Sequence, residues 1–118
     1  MPLIQIDLDR ELYERAGDQL GKGVHQAQLD TLDIPGDDLF QVFTPRPEGE
    51  LRFDRTFGGV DRQQLVLLRV TMVHMYSVAT KRRFFEAVAD RFAEAGVRRE
   101  DILIAVTENG FEDWYAGS

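Results

Sequence analysis

The chain carries one pattern twice, and that repeat limits its possible folds more than any other feature. At a shift of 63 residues, Leu3-Ile4 falls on Val66-Leu67, Leu29 on Phe92, Ile34 on Val97, Asp38 on Asp101, Val42 on Ala105 and Thr44 on Thr107. Few residues are identical; the order of apolar and polar positions is what recurs. Each copy reads as strand, helix, strand. In the first, Leu3, Ile4, Ile6 and Leu8 form a short strand-like run, and Asp9 stands where a helix cap belongs. Leu12, Ala16, Leu20, Val24 and Ala27 then recur at three- and four-residue steps, the spacing of an amphipathic helix. Gly17, Gly21 and Gly23 interrupt it, each costing on the order of 1 kcal/mol against alanine, so this helix depends on tertiary packing. Ile34-Pro35-Gly36-Asp37 ends it, and Phe40, Val42 and Phe43 read as a second strand.

In the second copy, Leu65 to Val73 is apolar and β-branched except for Arg69 and Thr71, which reads as a central strand. Ser77 is placed to cap the next helix, Phe84, Phe85, Val88, Phe92 and Ala95 give its buried face, and Gly96 gives its stop. Ile102 to Val106 reads as a last buried strand. Between the copies, Pro45-Arg46-Pro47-Glu48-Gly49 reads as a turn, Leu51-Arg52-Phe53 as a short strand, and Thr56 to Asp61 as a glycine-containing loop. The tail from Asn109 to Tyr115 is turn-like and aromatic.

These readings give a single domain over 1–118, with β-α-β repeats at about 2–44 and 65–107 and a connector over 45–64. The fold class is α/β (α+β): tandem β-α-β units forming a four-stranded sheet with two helices on one face. Right-handed crossovers make the strands within each unit parallel. The second face of such a sheet is left uncovered, and a homotrimer would bury it.

Composition narrows the function. A net charge of −7 argues against nucleic acid or an anionic membrane as partner, and makes a small anionic substrate depend on a local positive pocket. The absence of cysteine excludes disulfides, thiolate catalysis and cysteine metal sites. His25 and His74 are too far apart for metal-ligand spacing, so neither a metal nor another cofactor is expected. No apolar run approaches the roughly 20 residues of a membrane span, and Met1 to Asp7 has neither the basic region nor the apolar stretch of a signal peptide. Cytoplasmic residence is the expectation.

Pro2 is the sharpest chemical signal. Once Met1 is removed, Pro2 presents a secondary amine. An α-amino group titrates near neutrality, and burial disfavours its cation, so it can move protons without a histidine or carboxylate. Read alone, a proline here also simply opens an edge strand.

Pro2-Leu3-Ile4 opening a strand, the duplicated unit and the chain length resemble the tautomerase superfamily. Further segments resemble its malonate semialdehyde decarboxylase group. These are Val24-His25-Gln26-Ala27, Ile34-Pro35-Gly36-Asp37-Asp38-Leu39-Phe40-Gln41, Arg46-Pro47-Glu48-Gly49-Glu50-Leu51, and Val106-Thr107-Glu108-Asn109 through Asp113-Trp114. The likeness runs almost end to end. It implies a tautomerase-like fold and an enzyme that uses Pro2 for proton transfer on small 2-oxo or 3-oxo acids. The reaction would be keto–enol tautomerisation or malonate semialdehyde decarboxylation, with low hydratase activity on acetylenic or haloacrylic acids as a further family trait.

The resemblance also implies residue roles. Pro2 and Asp38 would be catalytic, Asp38 positioning or activating water or assisting proton transfer. Trp114 would line the pocket. The decarboxylase group carries two arginines just before the second helix; His74 and Tyr76 stand at those places here and offer one donor each. Arg46, Arg62 and Arg69 are candidates to replace the lost cations, Arg69 foremost, because a charge in an apolar strand needs a partner. Each position has a plainer reading as well: Asp38 as a turn carboxylate, Trp114 as a sheet-capping residue, His74 as a polar strand end, Arg69 as half of a structural ion pair, His25 as structural. Ala116 stands where an aromatic is usual, and the chain stops at Ser118, which together imply a more open pocket.

Two rival functions stay in play. One is a catalytically degenerate trimeric scaffold or hetero-oligomer partner, in which a retained Met1 turns the amine of Pro2 into an amide. The other is a generic ferredoxin-like binder, usually antiparallel between its halves and with no free Pro2 at a pocket.

Overall fold

The computed structural model describes residues 1–117. The first unit comprises strand β1 (Leu3–Asp9), helix α1 (Arg10–Thr31) and strand β2 (Gln41–Arg46); the second comprises β3 (Val66–Val73), α2 (Val78–Glu94) and β4 (Ile102–Asn109). Both the first and last strand residues of the units keep the 63-residue offset. The sheet order is β2-β1-β3-β4, with β1 parallel to β2 and β3 parallel to β4, each pair joined by a helical crossover. The halves meet through β1 and β3, which pair antiparallel, Leu3 opposite Thr71 and Ile6 opposite Leu68. Antiparallel halves alone would also suit a ferredoxin-like binder, so the position of Pro2 has to separate the two readings.

The core lies between the sheet and the helices. Ile4, Ile6 and Leu8 of β1 and Val66, Leu68, Val70 and Met72 of β3 alternate inward, and Leu12, Leu20, Val24, Phe84, Val88 and Phe92 meet them from α1 and α2. Glycine lets the layers approach. A β-carbon at Gly21 would lie 2.9 Å from Gln41 Oε1 and 3.2 Å from the Phe43 ring, and one at Gly23 would lie 3.0 Å from Arg91 Cβ. The glycines that weaken α1 in isolation therefore fit it against β2 and α2.

Ser77 caps α2, its hydroxyl accepting from Thr80 N at 3.1 Å, and Gly96 follows the helix at φ +84°. Asp9 sits at the N-cap of α1 but makes no capping bond through its side chain. Three other expectations change. Pro45 and Arg46 belong to β2 instead of a turn, because β2 is an edge strand where a missing N–H costs no ladder bond. Leu51-Arg52-Phe53 forms no strand, having no strand neighbour to pair with; the connector's regular element is a 3-10 turn at Phe57–Gly59. β4 continues to Asn109 and is only half-buried, since it is the other edge.

The face of the sheet turned away from the helices carries Leu3, Val42, Leu67, Leu103 and Ala105, with Leu103 and Val42 exposed. Asp7, 4% exposed, is held on that face by two arginines: Arg46 Nη2 at 3.3 Å and Arg69 Nη2 at 3.1 Å. Either arginine alone still compensates the carboxylate, whereas losing both strands a buried charge. The double variant R46M/R69M should lose about 3–5 kcal/mol of stability, more than the two single variants combined. Urea denaturation at one fixed protein concentration checks it; additive single effects would contradict this account.

Candidate active site at the head of the central strand

The antiparallel junction gathers three chain segments at one end of the sheet: the start of β1, and the C-terminal ends of β3 and β4. Ile4 N donates to Phe40 O at 2.9 Å, which lays the α1–β2 connector against the start of β1. Asp38 sits in that connector, its own N–H turned back to Pro35 O at 3.1 Å, so the turn reading holds for its backbone. Its side chain is only 16% exposed, and the amine of Met1 lies 3.7 Å from its Oδ2. Pro2, between that amine and the strand, is buried. His25 reinforces the arrangement from α1, its Nε2 donating to Gly36 O at 2.8 Å and so tying the helix to the segment that bears Asp38.

Tyr76 arrives from the loop after β3 and packs against the core. Partial burial, and after it the negative charges of Asp38 and Asp33, push its phenol above the ordinary tyrosine value. The hydroxyl, a neutral donor near neutral pH like any phenol, feels the field of Asp38. His74 N donates to Asn109 O at 2.8 Å, joining the loop to the end of β4. Trp114 is half-buried, and its indole donates to Asn109 Oδ1 at 2.8 Å. A 3-10 turn at Phe111–Asp113, closed by Gly110 N donating to Asp113 Oδ2 at 2.8 Å, brings the tail back to that contact.

Pro2, Asp38, Tyr76, His74 and Trp114 thus share one end of the molecule. The family model described as "Tautomerase enzyme" matches residues 38–117. The chain belongs to the tautomerase family. It is 30% identical to the probable tautomerase YusQ of Bacillus subtilis (strain 168), over all of this chain and 94% of that one. The FG41 malonate semialdehyde decarboxylase inhibited by 3-bromopropiolate superposes with a TM-score of 0.86 at 31% identity, covering 98% of this chain and 89% of that one. A second malonate semialdehyde decarboxylase, described through its decarboxylase and hydratase activities, gives 0.89 at 25% identity and covers 98% and 91%.

Against that family background, the arginines of this tautomerase are placed unexpectedly. Arg69 lies on the helix-free face opposite Gln5 and is bound to Asp7, together with Arg46. Arg62 is buried in the connector, donating to Asp54 O and Phe57 O. Within the chain, none of these contacts brings the three to Pro2. The partner of Arg69 is a carboxylate on the neighbouring strand of the same chain.

Two residues that sequence reasoning missed are at the site end instead. Glu108 receives Lys81 Nζ at 2.9 Å on Oε1, while His74 Nδ1 lies 2.9 Å from Oε2. Oε2 is buried, and His74 Nδ1 approaches it closely without an aligned hydrogen bond. Lys81 chiefly, with His74 adding to it, holds the Glu108 carboxyl below the usual carboxylate range despite some desolvation. A signal existed: Glu108 continues the inward series Ile102, Ile104, Val106, so a carboxylate on that face needs a cation.

Tyr76 is one of three tyrosines. Ultraviolet titration should resolve one phenol that ionises above the ordinary value. Replacing Asp38 by asparagine removes a repelling charge and should bring that transition down. An unmoved transition in D38N would show that Asp38 exerts no field on Tyr76.

Proposed function

We propose that this chain is an enzyme that uses Pro2, freed by removal of Met1, to move protons on small 2-oxo or 3-oxo acids. The observation that carries this reading is the Met1 amine 3.7 Å from Asp38, with Pro2 buried directly behind it. Once the methionine is gone, the chain begins with a secondary amine at the edge of a partly dry site, beside a carboxylate. In keto–enol tautomerisation a neutral Pro2 takes the proton of the enol hydroxyl and delivers a proton to the carbon alpha to the carbonyl that forms, and the reverse direction runs the same transfers backwards. Asp38 assists proton transfer or holds a water. Tyr76, kept protonated, donates to the oxygen on which enolate charge develops. His74 and Trp114 border the substrate, and Arg69 contributes only where a site extends to the helix-free face.

The likeness to malonate semialdehyde decarboxylases at 31% and 25% identity supports a second reaction at the same site. In it, a cationic Pro2 polarises the aldehyde carbonyl, the carboxylate leaves as carbon dioxide, and the resulting enolate takes a proton at the carbon that lost it. His74 and Tyr76, where that group carries arginines, weigh toward tautomerisation. The exposed apolar residues of the helix-free face support a homotrimer as the working form. No helix among the described residues is long and apolar enough to cross a membrane.

The scaffold reading draws on the same contact, because a retained Met1 would itself pair with Asp38 and seal the site. Intact mass of natively produced protein separates the two. The expected result is loss of Met1, with Pro2→Ala lowering kcat/KM on phenylenolpyruvate or malonate semialdehyde by about 10²–10⁴-fold in an NMR product assay. Retained Met1, or full activity in the variant, would defeat the catalytic reading.

A further inference from the structure

The site end of the sheet holds a cation that the proposed chemistry has not yet used. Glu108 is register partner to Met72, and the step after the Leu3–Thr71 pair sets Pro2 beside Met72. Pro2, Met72 and Glu108 therefore form one row on the helix side, across β1, β3 and β4. Two strand spacings separate the ends of that row, about 10 Å between backbones, with the buried Met72 between them. Above Glu108 stands Lys81 of α2.

Three features single out Lys81. Its ammonium has three donors, and the bond to Glu108 Oε1 uses one. Its side chain is 20% exposed, so the stem is packed while the head keeps access to solvent. It also sits in the first turns of α2, where no acidic residue precedes it and the macrodipole disfavours a cation. Glu108 offsets that cost, and Arg82 and Arg83 follow directly. Arg46 and Arg69, by contrast, make their contacts on the helix-free face, and Arg62 makes its own within the connector.

We propose that Lys81, braced by Glu108, is the anchor for the substrate's carboxylate. This rests on the Pro2 reading for its substrate. The acid lies between Pro2 and α2, its carbonyl at Pro2 and its carboxylate on the free donors of Lys81. Glu108 acts as a positioning residue: it fixes the ammonium through one oxygen and draws His74 to the same place through the other. Selectivity for acids over their neutral esters follows from the charge on Lys81.

The test uses Met1-free protein of full length and two readouts. Calorimetry with malonate as an unreactive probe measures the anchor without turnover. Kinetics on phenylenolpyruvate and on its methyl ester separate charge recognition from general damage. K81M should weaken malonate binding and raise KM for the acid at least about tenfold, while leaving kcat and the ester's KM within about twofold. K81R should retain most of the affinity. E108Q, which keeps the cation but loosens it, should fall between, and it serves if K81M does not fold. Unchanged malonate binding in K81M, no malonate binding by the parent protein, or equal shifts for acid and ester would each overturn the proposal. Malonate binding that depends on Lys81 in a protein that turns over neither substrate would uphold the anchor and remove the Pro2 chemistry alone.

Discussion

Everything at the site depends on the antiparallel pairing of β1 with β3. Two β-α-β units joined this way bring the beginning of the chain to the C-terminal ends of β3 and β4. Loops that follow strand ends can then present side chains to the first residue of the protein. A parallel junction would send β3 the other way and leave Pro2 facing the connector. Burial does the rest: Ile4 and Ile6 are fully covered, so the strand start is fixed, and Pro2 is fixed with it.

The charges divide between the two faces of the sheet in the same logic. Asp7 on the helix-free face is almost fully buried and takes two arginines, Arg46 and Arg69, each about half exposed at its own end. Glu108 on the helix face is shared by Lys81 and His74. Both clusters use one carboxylate to hold two basic groups, but their surroundings differ. The first sits on the helix-free face, where Asp7 lies between Thr44 and Leu67 in the register. The second sits at the open end, beside a protonated phenol and a tethered indole. Only the second lies on the helix side, at the end of the sheet that bears Pro2.

The places where pattern reading and structure part have a common cause. Pro45 reads as a turn residue, and it is one in most settings; on an edge strand its missing donor goes unnoticed. Leu51-Arg52-Phe53 has strand-like composition but finds no neighbour in the sheet. Arg69 looks poised for a ligand because an apolar strand surrounds it, yet the residue that satisfies it, Asp7, lies 62 positions away in sequence. The two misread segments were judged without their lateral neighbours, and a lateral neighbour likewise supplies the Asp7 that pairs with Arg69.

The sequence by itself determined the duplicated unit, the helix and strand periods, the caps at Ser77 and Gly96, and the exclusion of thiol and cysteine-metal chemistry. Those properties follow from local spacing and residue type, which a linear chain carries in full. It also pointed to Pro2, Asp38, Tyr76, His74 and Trp114 as chemically interesting. What only the tertiary structure decided is which of the basic residues shares an end with Pro2. That is a matter of strand register and face, and a step of one residue along a strand reverses it. Register placed Glu108 in the row of Pro2 and brought Lys81 over it from a helix 27 residues earlier. No periodicity within either segment encodes that meeting, because it arises from packing two separately formed units against each other.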